Sequence, residues 1–146
     1  MITVLCHGCF DVLHIGHLRL FKKARYMGDR LVVSLLSDEF VRASKGSKRP
    51  FHNLAIRREM VEALSAVSET VVVDGPGHEA VERMIATVKP QIYVKGSEYR
   101  GRIPEQAFAE SIGVKIAFID MEQYEDAVIS TSRILISGEQ NVARSV

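Results

Sequence analysis

Five continuous apolar runs punctuate the chain: Ile2 to Cys6, LVVSLLS from Leu31, TVVV from Thr70, QIYV from Gln91 and VKIAFI from Val114. Each is short, rich in Val, Ile and Leu, and lacks the alternation of a strand with one wet face, so each predicts a strand covered on both sides. The segments between them carry the helical period. Leu18, Phe21 and Ala24 form a stripe that ends at Gly28, a residue suited to a helix C-terminus. Asn53 is placed to cap a helix with Ile56, Met60, Ala63, Leu64 and Val67 on its inner face, and Val81, Met84, Ile85 and Val88 repeat the spacing before Pro90. Strand, helix, strand, repeated, predicts a doubly wound, five-stranded parallel α/β sheet with helices on both faces. No internal repeat, low-complexity segment or linker interrupts the pattern, so residues 1–146 are read as a single domain.

Composition narrows the function. A chain of 146 residues that is 47% hydrophobic and 25% charged has enough apolar material for one core. Nineteen basic residues against eighteen acidic ones leave a net charge of +1, so an anion-binding surface must be local, which argues against a nucleic-acid partner. No window approaches the roughly 20 apolar residues of a membrane span, and MITVLCHGC has no basic leader-like start. The expectation is a soluble, cytoplasmic protein with no membrane partner. Both cysteines fall within four residues of each other and cannot staple a fold.

Open parallel sheets bind ligands beyond the carboxyl ends of their strands. Four polar segments are expected there: the stretch His7 to His17, KGSKRP from Lys45 after the second strand, KGSEYRG from Lys95 after the fourth, and STSR from Ser130 at the start of a last helix. Together with Cys6 just before it, the first holds two cysteines and three histidines, and Cys6, Cys9 and His14 have the spacing of three zinc ligands. A fourth ligand is missing, since Arg19 stands where it is needed, and Cys6 ends an apolar strand. Cys6 is therefore read as a small core residue. His7, His52 and His78 are read as ordinary side chains. His14 and His17 are different: Gly16 lies between them, where backbone can approach a ligand, and the pair opens a helix whose N-terminus attracts anions.

These residues carry a resemblance. GCFDVLHIGH, Gly8 to His17, resembles the signature of the small cytidylyltransferase-like nucleotidyltransferases, with its H-x-G-H core, and KGSKRP, Arg57, VKGSEY and ISTSRI follow in that family's order. Within it, GCFD, KGSKRP and YVKGSEY look most like the heptose 1-phosphate adenylyltransferases, with the glycerol-3-phosphate cytidylyltransferases next. The resemblance implies a Rossmann-like fold and a transfer of a nucleoside monophosphate from a nucleoside triphosphate to a small phosphorylated acceptor. ATP and heptose 1-phosphate are favoured, and CTP with glycerol 3-phosphate is the alternative. A nucleotide-binding sensor without turnover is the reading from outside enzymology. By the same resemblance, His14, His17, Lys45 and Arg57 are expected to stabilise the transferring phosphate. Ser130, Thr131 and Ser132 are expected on the β- and γ-phosphates, Lys95 and Gly96 at the base, and Gly8, Cys9, Phe10 and Gly16 beside the ribose and phosphates. Asp11 is expected to orient a histidine or a magnesium-bound water. Mg²⁺ is the expected companion of the triphosphate, with no ligand assigned to the protein. A homodimer is open to the chain, as such proteins often pair.

Overall fold

In the computed structural model the described residues are 1–120. They form strands β1 (Thr3–Gly8), β2 (Arg30–Leu36), β3 (Glu69–Val73), β4 (Ile92–Gly96) and β5 (Lys115–Ile119), joined through helices α1 (Ile15–Arg25), α2 (Asp38–Lys45), α3 (Leu54–Glu62), α4 (His78–Val88) and α5 (Gln106–Ser111). All strand pairings are parallel, in the order β3-β2-β1-β4-β5. The chain therefore winds outward from β1 in one direction, then returns to start β4 on its other side. That reversal opens a crevice between the ends of β1 and β4, where an open sheet of this kind takes its ligand.

Side chains alternate across the sheet and divide the core in two. On one face Val4, Cys6, Leu31, Val33 and Val94 pack with Phe21 and Ala24 of α1 and Val61 of α3. On the other, Leu5, Val32 and Tyr93 pack with Val41 of α2, Ala80 to Ile85 of α4 and Ala109 of α5. Because each strand is buried on both faces, the runs read as continuous apolar sequence.

Three expectations need correction. The inner face of α3 is not Ile56 and Met60, which are 43% and 40% exposed, but Arg57 and Val61. An arginine occupies the core position, so counting apolar residues rotates the helix wrongly. Gly28 does not end α1 through a left-handed backbone; a Cβ there would stand 2.7 Å from the Ile2 carbonyl oxygen and from a Val4 methyl, so its role is to let the chain pass close to β1. Lys45 is the last residue of α2 rather than part of a loop directly after β2. Helices α2 and α5 are short and bury one residue each, too little to leave an apolar stripe in the sequence. Among the described residues, no helix is long and apolar enough to cross a membrane.

Candidate active site

His14 is the N-cap of α1, and its Nδ1 accepts a hydrogen bond from the Gly16 amide at 3.1 Å. Three residues on, Nδ1 of His17 accepts from the His14 amide at 3.3 Å. Reciprocal caps of this kind usually pair Ser or Thr with Glu. Here two imidazoles do it, stacked with centroids 3.8 Å apart and planes 25° from parallel. An accepting Nδ1 carries the lone pair, so in a neutral ring the proton sits on Nε2. Both rings are held neutral: burial lowers His14, and burial followed by the neighbouring His14 brings His17 to about 3. The cap thus fixes two Nε2–H donors side by side at the positive end of a helix.

The loop before α1 supports this pair. Phe10 adopts a left-handed backbone (φ 49°), which turns its ring into the core, edge-on to His17 at 5.3 Å and to Phe21 at 5.0 Å. Gly8 makes room for that ring, since a Cβ would approach it to 3.0 Å. Cys9 is half-buried, and its thiol is raised by burial and by the Asp11 charge against the pull of Arg57, Lys45 and Arg49. Cys6 is buried and pushed up to about 12. The two cysteines pack against opposite faces of the sheet, Cys6 in one core cluster and Cys9 on the other, so they do not converge on a shared metal.

Asp11 and Arg57 act beneath the surface. The Asp11 carboxylate, 2% exposed, accepts from Arg49 Nε and from the amides of Phe51 and His52, each at 2.8 Å. Burial raises its pKa, but these donors outweigh that and hold it below the usual value. These partners all lie in the segment after α2, and none of them is a histidine side chain. Arg57 has no exposed surface. Its Nε donates to the His52 carbonyl at 2.9 Å, Nη1 to those of Cys9 and Leu36 at 2.9 Å each, and Nη2 to Asp38 Oδ1 at 2.7 Å. Expected as a phosphate ligand, Arg57 is instead a strut tying α3 to the ends of β2, the β1–α1 loop and the start of α2. Arg58, its neighbour, turns outward to Glu62 and Thr70.

On the opposite face of the sheet lies a cavity of about 370 Å³, lined among others by His7, Phe40, His78, Lys95, Tyr99, Arg102 and Glu105. Lys95 comes from the last turn of β4, and its Nζ lies 4.4 Å from the Tyr99 ring centroid. Burial lowers its pKa, and Glu105 pulls it back up. Glu105 is anchored by the buried Tyr93 hydroxyl, which donates to it. The family resemblance implies a base contact for Lys95, and sequence reasoning reads His7 and His78 as ordinary; both histidines line this cavity. The signal for His7 was strand alternation, which puts it on the same face as Leu5. Gly96 ends β4 beside Lys95, and Ser130, Thr131 and Ser132 lie outside the described residues.

Paired neutral imidazoles cap the helix at the switch point of a five-stranded parallel sheet, an arrangement suited to binding an anion. The cytidylyltransferase-like family model matches residues 5–135, and the chain belongs to that family. It is 39% identical over 133 residues to the bifunctional protein HldE of Chromohalobacter salexigens, covering 90% of this chain and 27% of that protein. To HldE of Streptomyces coelicolor it is 36% identical over 138 residues, covering 94% and 28%. The chain thus spans little more than a quarter of these relatives. Its fold is similar to that of the lipopolysaccharide core biosynthesis protein from Thermoplasma volcanium GSS1, with a TM-score of 0.67, 30% identity, and coverage of 82% of this chain and 97% of that one.

Proposed function

We propose that the protein transfers a nucleoside monophosphate, AMP in the favoured case, from a nucleoside triphosphate to a small sugar phosphate such as heptose 1-phosphate, releasing pyrophosphate. The observation that carries this reading is the histidine cap: with each Nδ1 engaged by a backbone amide, two neutral rings keep their Nε2–H donors on the side away from those amides at the N-terminus of α1. An oxygen of the acceptor phosphate attacks the α-phosphorus, a P–O bond forms, and the bond to the departing pyrophosphate breaks. A phosphate monoester is largely a dianion at neutral pH, so no general base is needed; positioning and charge stabilisation suffice. His14 and His17 hydrogen-bond the phosphate oxygens as charge builds, and Lys45, exposed at the end of α2, adds a cation from the adjacent segment. Arg57 and Asp11 hold the surrounding segments in register. The cavity behind β1 and β4 takes the acceptor, an assignment that gives Lys95 to the acceptor in place of the base contact expected from the family resemblance.

Mg²⁺ fits this scheme as a companion of the triphosphate, held by phosphate oxygens and water and neutralising their charge. Asp11, the acidic residue of the signature, is engaged by three protein donors, and no cluster of His, Cys, Asp and Glu suited to a metal occurs among the described residues. The similarity to HldE proteins and to a lipopolysaccharide core biosynthesis protein supports an envelope sugar as acceptor. The test is pyrophosphate release from each of the four nucleoside triphosphates, crossed with heptose 1-phosphate, glycerol 3-phosphate and other phosphate monoesters. Release with ATP and the sugar phosphate is expected. Release only with CTP moves the protein to polyol activation, and triphosphate binding without release from any acceptor makes it a sensor.

A further inference from the structure

His7 is the one imidazole of the opening stretch that the phosphate chemistry does not use. It sits in β1, three registers beyond Val4 on the strand and paired with Ser34 of β2, whose hydroxyl lies 2.8 Å from its Nδ1. Its Nε2 has no protein partner among the described residues, yet no buried side-chain nitrogen or oxygen there is left unsatisfied. The ring is half-buried, and the space it lines is the cavity shared with Lys95. Burial, then the Lys95 charge, keep the ring neutral, with a pKa of about 3.

We infer that His7 is a specificity-determining residue whose Nε2 hydrogen-bonds a hydroxyl of the acceptor, with Ser34 as its positioning residue. The inference rests on the acceptor occupying that cavity. The Ser34 hydroxyl can give its proton to His7 Nδ1, or to the Cys6 carbonyl 3.5 Å away. In the first arrangement Nε2 carries a proton, and in the second it carries a lone pair. A hydroxyl, being both donor and acceptor, satisfies either; a phosphate or carboxylate oxygen satisfies only the first. The cavity's cationic side chains, Lys95 and Arg102, supply attraction for the acceptor's anionic end, while its carboxylate, Glu105, is engaged by the Tyr93 hydroxyl. His7 therefore reads the uncharged, hydroxylated part of the molecule.

The experiment is steady-state pyrophosphate release by wild type, His7→Leu, His7→Gln and Ser34→Ala, with the active acceptor and a set of its singly deoxygenated analogues. Thermal melting of each variant checks the fold. His7→Leu is expected to raise the acceptor KM about tenfold, the size of one hydrogen bond, while the KM for the nucleotide holds. His7→Gln, which keeps a donor and an acceptor, restores most of that loss, and Ser34→Ala falls between. One deoxy analogue lowers kcat/KM for wild type and adds nothing further in His7→Leu, because the contact is already gone. An unchanged acceptor KM in a folded His7→Leu, or equal increases for nucleotide and acceptor, overturns the role of His7 while leaving the transfer reaction standing. Absence of pyrophosphate release by wild type with every phosphorylated acceptor overturns the reaction itself and this inference with it.

Discussion

At His17 a single side chain does three jobs: it caps α1, stacks on His14 and, with Nδ1 accepting, keeps Nε2–H as its donor. His17→Ala should lower the rate by about 10²–10³, the range for loss of one donor to a developing oxyanion, with melting changed far less than turnover. A ring with a pKa near 3 also predicts how the protein responds to acid. His7 and His17 titrate at about 3 when folded and near 6.5 when unfolded, so the unfolded chain binds protons first. The stability tied to these rings is complete above pH 6.5 and drains away as pH falls toward 3. Melting temperature measured from pH 8 to pH 4 should fall below about 6.5, and His7→Gln should make that decline shallower. The sequence made His14, Gly16 and His17 stand out because their pattern is local. It could not show that Arg57 is buried, since that depends on carbonyls of Cys9, Leu36 and His52, which come together only in the folded chain.

At the scale of elements, the segment from Arg49 to Asn53 is held from both sides, by Asp11 and by Arg57. Removing either leaves buried partners uncompensated. Asp11→Ala and Arg57→Leu are each expected to cost about 3–5 kcal/mol in denaturant unfolding. This separates the two roles for Arg57: a phosphate ligand would lose rate without losing stability, whereas a strut loses stability first. Gly28→Ala tests a different constraint, for its Cβ would collide with the Ile2 carbonyl oxygen; about 1–3 kcal/mol is expected from the backbone shift that relieves it. All five strands were legible as apolar runs because a strand buried on both faces needs no partner to reveal itself. The face of α3 was not, because a fully satisfied arginine in the core looks like a surface residue in sequence, while Ile56 and Met60 look like core and lie exposed.

For the whole molecule, the winding order places two chemically different features on either side of β1 and β4, a helix N-terminus and a cavity. The side bearing α1 offers neutral donors at a helix N-terminus, suited to a triphosphate. The side bearing α4 and α5 offers a cavity with Lys95, His7 and Tyr99, suited to an anionic, hydroxylated acceptor. Gly8 and Gly96 end these two central strands at the same edge of the sheet. The most direct test is pyrophosphate release from ATP and heptose 1-phosphate, measured side by side for wild type and His17→Ala. Turnover by wild type with a loss of about 10²–10³ in the folded variant is the predicted result. Equal turnover by both proteins would contradict the role of the histidine cap, and triphosphate binding by wild type without release from any acceptor would contradict the transfer reaction itself.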